Sequence, residues 1–388
     1  MAAPTIIRGK EHFFPLVYEG SGTGQKVGSF VPFTDSGTIA NSCVFDEASS
    51  AYLSKTFSGD GDKTKFTFSM WMKRGNIGSR MDFVSFRQDV PLYLKADNTM
   101  VVALFGDISR NTNRTFEDRS KWYHIVLRVD SSQSTANDRI KLYIDGEQIT
   151  SFSTTNNPAQ DEAANIYTVT REFYFGNIIG GSYYTDAYFA EVNYTDGQSY
   201  GPETFGETDT ATGRWVPKTL TGITYGTNGF RLKFQDSSAL GDDTSGNGND
   251  LAVNGIASTD QSTDSPTQNF NNMGGSTIGG GTVTEGNLKI TIPGTATGYA
   301  QIVGQPAFGV SSGKWYWEVT IVTKGATGYG WKHDSNEGGS FAQSTGTYKL
   351  GPAFMVGASG GLADGEWDVD YATGASEHGT FAVASEGD

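Results

Sequence analysis

Three segments of the chain alternate apolar and polar residues with a period of two, the spacing of a β-strand that covers a core on one side. Their apolar positions are Phe66, Phe68, Met70 and Met72; Ile125, Leu127 and Val129; and Ile140, Leu142 and Ile144. Asp145-Gly146 follows the third segment. This pair favours a type I′ turn, because both central residues of that turn need positive φ. The pattern predicts antiparallel strands that end in a hairpin.

The composition extends the β prediction to the whole chain. The 388 residues include 51 Gly, 24 Phe, 18 Tyr and 7 Trp but only 11 Pro. Glycine-rich turns between aromatic and β-branched runs favour an all-β protein, and no apolar pattern of helical period extends beyond about two turns. A chain of this length has room for two or three domains.

Charge and cysteine content exclude several classes of function. With 28 basic and 43 acidic residues, the net charge of −15 argues against nucleic acid or anionic lipid as partners. No apolar run approaches the roughly 18 residues of a membrane span, and the start, MAAPTIIRGK, lacks the apolar core of a signal peptide. Cys43, the single cysteine, lies in an alternating segment, so we expect a buried structural thiol. We also expect maturation outside an oxidising secretory pathway.

The strand series resembles a known group of modules. "FSMWMKRG" paired with "WYHIVLRVD…LYIDGEQI", after the opening CVFDEASSAYLSKTF, is similar to laminin-G, pentraxin and concanavalin-type domains. The resemblance implies a concanavalin/laminin-G-like antiparallel jelly-roll sandwich over residues 41–256, of a kind that binds glycans or protein partners. In its last strand, AYFAEVNYTDG, the alternation places Tyr188, Ala190 and Val192 on one face.

One segment stands in an unexpected place. Residues 229–256, GFRLKFQDSSALGDDTSGNGNDLAVNGI, resemble the segment that begins such modules, but here they follow the body. A circular permutation would bring this segment back to close the sandwich; alternatively, it starts a second, abbreviated module. We favour permutation, since no second "FSMWMK" or "YIDG" follows and sandwich termini lie close together.

Three further segments complete the predicted organisation. Residues 1–40 form a glycine-punctuated arm for attachment or oligomer contacts, and the polar residues 257–283 form a flexible linker. In residues 284–388 the run "SSGKWYWEVTI…GYGW" resembles the opening of SPRY domains, with Trp315, Trp317, Val319 and Ile321 on one face. A SPRY domain would continue past Asp388, so we expect an incomplete SPRY-like β-sandwich there.

Catalytic motifs are weak. No HExxH helix or phosphate-binding glycine loop is present, and His124 lies within a strand, where a structural role is expected. GEWDVDYA places Glu366, Asp368 and Asp370 on one face, as in the Glu-x-Asp-x-Glu strand of laminarinase-type glucanases. The third position is shorter than in those enzymes, and the motif lies in the SPRY-like segment. We therefore expect an exposed acidic strand and no enzymatic activity.

A loop in the displaced segment offers oxygen ligands. Asp242, Asp243, Asn247, Asn249 and Asp250 fall within nine residues. Calcium prefers six to eight oxygen ligands of this kind. The alternative is an Asx/Gly turn whose side chains satisfy its own backbone. Both hypotheses stay open on the sequence, with the turn favoured.

Glycan recognition needs aromatic faces beside polar groups. The loop GGSYYTDAY supplies Tyr183, Tyr184 and Asp186, and WYHI supplies Trp122; these four are the candidate glycan-binding residues. Trp71 is a different case, because it lies on the opposite face from Phe68 and Met70. It either fills a second apolar layer or faces a partner.

The whole combination resembles the modular virion proteins of tailed bacteriophages, particularly marine ones, through the arm, the "WMKRG" strand and "DTSGNGNDL". The resemblance implies a non-enzymatic tail-fibre or receptor-binding protein of the virion that recognises host-surface glycan and is released by lysis. It also implies a homo-oligomer, most often a trimer, whose N-terminal arm binds other virion proteins. A purely structural head-decoration or tail-hub component is the close alternative, followed by a glycan depolymerase and a secreted bacterial adhesin.

Overall fold

The computed structural model describes residues 37–270, apart from 87–88, 106–107, 167–171, 179–180, 182 and 211–212. Beyond residue 270 it describes eight short strands and residue 288. The chain divides into two compact units, Met1–Asn271 and Asn272–Asp388, and each is considered by itself.

The described part of the first unit is built of short strands and three single-turn 3-10 helices, Ala136–Asp138, Pro202–Thr204 and Ser258–Asp260. The strands are β1 (Ser42–Phe45), β2 (Tyr52–Thr56), β3 (Lys65–Arg74), β4 (Met81–Phe86), β5 (Asp89–Leu94), β6 (Thr99–Leu104), β7 (Ile108–Thr115), β8 (Tyr123–Asp130), β9 (Ile140–Ile144), β10 (Glu147–Gln148), β11 (Phe152–Thr155), β12 (Glu172–Phe175), β13 (Ala187–Asp196), β14 (Gly206–Thr208), β15 (Trp215–Pro217), β16 (Phe230–Leu232), β17 (Ala252–Asn254) and β18 (Gln261–Ser262). The predicted all-β class is confirmed. Among the described residues, no helix has the length and apolar character needed to cross a membrane.

Two antiparallel sheets of eight strands face each other. The first sheet has the order β10-β9-β8-β3-β13-β1-β18, with β16 also paired to β13, and the second has the order β11-β7-β6-β5-β4-β12-β2-β17. β14 and β15 form a separate two-stranded hairpin. The jelly-roll sandwich predicted from the strand series is therefore present.

The alternating segments supply the inner face of the first sheet, as predicted. All ten of their apolar positions are at most 3% exposed. They meet aromatic residues of the second sheet: the ring of Phe68 stacks on that of Phe173 with centroids 6.5 Å apart. The predicted type I′ turn is also confirmed, with φ of 54° at Asp145 and 81° at Gly146.

One predicted face is wrong. A bulge interrupts the pairing of β13 with β3 between Ala190 and Asn193, and Glu191 adopts a φ of 47°. The extra residue reverses the side-chain alternation. Tyr188 and Ala190 therefore lie in a second apolar cluster, whereas Val192 lies in the main core.

The second apolar cluster also resolves the two interpretations of Trp71. Trp71 is 3% exposed and fills this layer, rather than being left for a partner. The cluster consists of Ile39, Val44, Trp71, Trp122, Tyr188 and Ala190, with Trp215 packed against it.

The segment from 229 to 270 lies within the sandwich. β16 pairs with β13, and β17 pairs with β2, so the displaced segment contributes a strand to each sheet. The structure differs from the predicted flexible linker over 257–270: β18 pairs with β1, and Asp264 is 0% exposed. Buried polar contacts, which composition does not reveal, hold this stretch in place.

The predicted arm also ends earlier than residue 40. Ile39 is 6% exposed, and its backbone exchanges hydrogen bonds with the hydroxyl of Thr267 at 3.2 and 2.8 Å. The remainder of the predicted arm, residues 1–36, lies outside the described residues.

The second unit is described as strands only. They are β19 (Met273–Ile278), β20 (Thr282–Thr284), β21 (Lys289–Thr291), β22 (Gln301–Gly304), β23 (Thr327–Lys332), β24 (Leu350–Val356), β25 (Glu366–Asp370) and β26 (Ser376–Thr380). β23 to β26 form an antiparallel sheet in sequence order. The acidic motif is a strand, as its alternation predicted, and the run from Trp315 to Ile321 lies outside the described residues. The SPRY-like assignment stays a prediction.

Candidate functional site

Tyrosines gather on the outer side of the second sheet. Leu53 and Phe173 face the main core, so the alternation of β2 and β12 turns Tyr52 and Tyr174 outward. The 183–184 loop lies beside them, and β5 adds one more tyrosine. We define the tyrosine surface as Tyr52, Tyr93, Tyr174, Tyr183 and Tyr184 together with Arg80.

Arg80 is the polar centre of this surface. Its guanidinium carbon lies 4.3 Å from the ring centroid of Tyr93 and 4.4 Å from that of Tyr183. Arg80 also donates to the carboxylate of Asp82, at 2.7 Å from Nε and 3.3 Å from Nη2. The strand register places Asp82 opposite Tyr93. The pairing of β4 with β5 therefore fixes both the Asp82 carboxylate, which binds the guanidinium, and the Tyr93 ring, on which the guanidinium stacks.

The other half of the surface is a tyrosine cluster. The ring of Tyr52 lies 5.6 Å from that of Tyr174 and 6.4 Å from that of Tyr184, centroid to centroid. Tyr174 donates its hydroxyl to Glu172. Burial raises the pKa of the Tyr174 hydroxyl, and the Glu172 carboxylate adds to the shift. The phenol therefore stays protonated and keeps its hydrogen bond.

A small cavity opens beside Arg80. It measures about 210 Å³, and Asp89, Tyr93 and Asn165 are among the residues that line it. Tyr183, which contacts Arg80, is 45% exposed, so its ring is accessible. Flat rings next to carboxylate, amide and guanidinium groups are the combination that sugars need: CH groups stack on the rings while hydroxyls find hydrogen-bond partners.

Two of the four predicted glycan residues do not belong to this surface. Trp122 is 6% exposed and lies in the second apolar cluster, where its indole N–H donates to Asp264 at 3.1 Å. The prediction for Trp122 is wrong, because a ring needed by the core cannot offer its face to a sugar. Asp186 contacts Gly75, whose backbone N–H donates to the Asp186 carbonyl at 2.9 Å.

The carboxyl of Asp186 has an unusual setting. Burial raises its pKa to about 6, and the negative charges of Asp46 and Glu47 act in the same direction. Arg119 partly opposes the shift. These charged neighbours are not part of the tyrosine surface, so of the predicted set Tyr183 and Tyr184 remain in the candidate site.

The acidic loop behaves as a self-satisfied turn. The carboxylate of Asp243 accepts four hydrogen bonds, from the backbone of Arg231, Ser245 and Asn249 and from the Ser245 hydroxyl, at 2.8 to 2.9 Å. Asp250 accepts from the backbone of Asp243 at 2.9 Å.

The asparagines of the same loop direct their amide groups at carbonyls. Asn247 donates to Gly226 and Gly229, and Asn249 donates to Thr227 and Gly229, at 2.6 to 2.9 Å. Both oxygens of Asp243 and Oδ1 of Asp250 already accept hydrogen bonds, so these contacts fit the self-satisfied turn better than a calcium ion. Across the described residues, no group of three or more His, Cys, Asp and Glu side chains is arranged to hold a metal.

A second, larger cleft is also lined by carboxylates, one of which accepts hydrogen bonds from backbone groups of the chain. It measures about 630 Å³ and is lined by residues that include Asp60, Asp62 and Asp196. Asp196 accepts from the backbone of Asp62 at 2.7 Å and of Asn228 at 3.0 Å. These carboxylates join loops and offer little to a ligand.

His124 has the packing role expected for it. It is 0% exposed, stacks on Trp71 with centroids 4.6 Å apart, and contacts the Ser69 hydroxyl at 3.0 Å. Trp215 donates its indole N–H to Nδ1 at 2.9 Å. An indole can only donate, so Nε2 carries the proton and donates to Ser69. This imidazole therefore cannot activate the serine as a nucleophile.

The comparisons agree with this architecture. A family model described as the concanavalin A-like lectin/glucanases superfamily matches residues 46–198, less than half of the chain. The sandwich has the concanavalin-like fold. A search of the curated proteins found no match.

Several solved structures are similar over part of their length. A protein from Bacteroides ovatus described as carbohydrate binding has a TM-score of 0.37 at 12% identity, over 56% of this chain and 58% of that one. A heptameric SAP-like pentraxin from Limulus polyphemus has a TM-score of 0.34 at 12% identity, over 56% and 96%. Tailspike protein 2 of Escherichia coli O157:H7 bacteriophage CAB120 has a TM-score of 0.27 at 12% identity, over 44% and 27%. At these values the likenesses carry no functional argument.

Proposed function

We propose that this chain is a non-enzymatic surface protein of a bacteriophage virion, of the tail-fibre or receptor-binding type, and that its tyrosine surface binds host-cell glycan. The observation that carries the glycan proposal is the contact of Arg80 with Tyr93 and Tyr183 beside an open cavity. Asp82 neutralises the guanidinium. The group therefore acts as a flat hydrogen-bond donor for hydroxyls, without strong selection for anionic sugars.

Pre-organisation supports this role. The guanidinium is held by a carboxylate that is 0% exposed, and the rings of Tyr52 and Tyr174 pack on each other. Rigid aromatic side chains lose little conformational entropy when a ligand stacks on them. A partly exposed tyrosine surface with fixed geometry suits the weak, repeated contacts by which multivalent adhesins hold a glycan coat.

The virion context is supported by the sequence resemblance of the arm, the "WMKRG" strand and "DTSGNGNDL". In this proposal the arm contacts other virion proteins, the chain assembles as a trimer, and lysis releases it. Cross-linking of purified particles followed by mass spectrometry tests the assignment. Contacts between residues 1–40 and a tail protein are expected; absence of the chain from particles would overturn it.

Glycan binding is tested with the full chain on an array of host-surface polysaccharides. Tyr183→Ala should weaken binding roughly tenfold or more, about 1.4 kcal/mol. Tyr143→Ala is the matched control, since Tyr143 lies on β9 of the first sheet, away from the site. Equal loss in both variants, or none in either, would contradict the tyrosine surface.

Two other results would favour the alternatives. If the wild-type chain is present in particles but binds no host polysaccharide or cell, its role is structural. If it releases reducing sugar from host polysaccharide, the protein is a depolymerase.

A further inference from the structure

A buried lysine joins two distant parts of the first unit. Lys73, on β3, lies on the outer side of the first sheet together with Trp71. Its Nζ is 2.7 Å from Oδ2 of Asp264, 2.8 Å from Oδ1 of Asn269 and 2.6 Å from the carbonyl of Phe270. The lysine and Asn269 are 196 residues apart in sequence. This contact holds the 261–270 stretch on the sheet.

The surroundings of the amine are dry. The side chains of Lys73 and Asp264 are both 0% exposed. Trp122 donates to the other oxygen of Asp264 at 3.1 Å, and the ring centroid of Tyr188 lies 6.0 Å from Nζ. A charged pair without water loses most of its solvation, which favours the neutral forms of both partners.

Burial brings the pKa values of Lys73 and Asp264 closer together. It lowers the pKa of the Lys73 ammonium, and it raises the pKa of the Asp264 carboxyl. Each shift is opposed by the attraction between the two charges. A proton that moves along their hydrogen bond produces a neutral amine and a carboxylic acid, which are a nucleophile and a general acid.

We propose that Lys73 and Asn269 form an intramolecular isopeptide bond, with Asp264 as the acid that assists it. The side-chain amide of Asn269 presents its oxygen to the amine. Its nitrogen donates to the carbonyl of Ser120 at 2.8 Å. These two contacts fix the orientation of the amide plane, and because Oδ1 is one bond of about 1.2 Å from Cγ, they hold the carbonyl carbon within about 4 Å of the amine.

The step balances without an oxidant or cofactor. Nζ of Lys73 gives one proton to Asp264, its lone pair attacks Cγ of Asn269, and the carbonyl electron pair moves to Oδ1. When the carbonyl re-forms, the bond from Cγ to Nδ2 breaks. Asp264 passes its proton to the departing nitrogen and takes a second proton from Nζ. The products are a secondary amide and one molecule of ammonia.

The product no longer contains a buried pair of charges. After the bond forms, position 73 carries no charge, and Asp264 ends the reaction protonated, so no unpaired charge is buried. Asn269 is exposed as a residue, which gives ammonia a route to solvent. A covalent link across so long a loop would also restrict the unfolded chain, as a disulfide does.

The test is the intact mass of the purified full-length chain under denaturing conditions. We expect a mass one ammonia below that calculated from the sequence, and a cross-linked peptide that contains Lys73 and Asn269. Lys73→Arg and Asn269→Ala should each have their full calculated mass. Asn269→Ala keeps the ion pair and changes an exposed residue, so it should fold even if Lys73→Arg does not.

Lys55→Arg is the matched control, because Lys55 makes only an exposed contact, with the carbonyl of Asp250 at 3.1 Å; it should keep the deficit. Full mass in the folded wild type overturns the proposal. A deficit of one water that joins Lys73 to Asp264 overturns the assignment of Asn269. A deficit that persists in Asn269→Ala, as a succinimide at Asn254-Gly255 would give, also overturns it.

Discussion

Trp215 donates its indole N–H to Nδ1 of His124 at 2.9 Å, and the two rings stack with centroids 5.9 Å apart. The hairpin of β14 and β15 carries Trp215, so this contact attaches the hairpin to the outer face of the first sheet. It also determines the tautomer of a histidine that could otherwise resemble half of a catalytic dyad with Ser69.

The first prediction concerns the protonation of His124. Burial lowers its pKa to about 3, so the imidazole should remain neutral in the native state at every pH above 4. Nitrogen-detected NMR should show the proton on Nε2, with no titration of this ring between about pH 4 and 8. The signal is assigned by its loss in His124→Gln. Titration near the ordinary value of about 6.5 would contradict the packing described.

The second prediction concerns the Asp145-Gly146 turn. Gly146 has a φ of 81°, and an added Cβ would clash with the ring of Trp215 at Cε3. Gly78 is the matched control, since it also has a φ of 81° but nothing within 4 Å of an added Cβ. By urea denaturation, Gly78→Ala should lose about 1–2 kcal/mol from backbone strain. Gly146→Ala should lower the free energy of unfolding by clearly more than Gly78→Ala does. Equal losses in the two variants would mean that the Trp215 ring moves aside without an energetic cost.

The third prediction concerns pH. Asp186 has a pKa raised to about 6 by burial, above the roughly 3.9 of an unfolded aspartate. Between these values the native state holds more proton than the unfolded state, so this group makes stability fall as pH rises from about 4 to 6. Asp186→Asn should therefore raise the free energy of unfolding at pH 7 by about 1–3 kcal/mol and change it little at pH 4.

His124 acts in the opposite direction over the same range, since its lowered pKa makes stability rise with pH between about 3 and 6.5. The comparison is therefore made between variants at each pH, where the histidine contribution cancels. Asp161→Asn, at an exposed position, is the control for the loss of one carboxylate. A constant effect of Asp186→Asn across pH would contradict the raised pKa.

The sequence predicts the first sheet well because its strands alternate cleanly. Phe66 to Met72 and Ile140 to Ile144 each have one buried face, and period two leaves a single way to orient them. Tyr188 and Val192 show where this reasoning fails. A one-residue bulge at Glu191 changes the face, and no residue type marks the bulge in advance.

The candidate site is only half visible in the sequence. Tyr183 and Tyr184 stand out as a pair in a loop, but Arg80 and Tyr93 belong to it only through the pairing of β4 with β5. The signal that could have found them is the alternation in RMDFVSF and VPLYL, which turns Asp82 and Tyr93 away from the core. The burial of Trp122 is not evident from the sequence, because its hydrogen-bond partner, Asp264, lies 142 residues away.

The last prediction separates the turn from a calcium site in the loop at residues 242–250. Asp243 is 8% exposed and accepts four hydrogen bonds, whereas Asp242 is exposed. Asp243→Ala should cost about 1.5–3 kcal/mol by urea denaturation, because hydrogen bonds to a charged acceptor are lost. Asp242→Ala should change stability by less than about 0.5 kcal/mol. The melting temperature should be the same in EDTA and in millimolar calcium; a rise with calcium that is lost in Asp243→Ala would show that the carboxylates bind the ion after all.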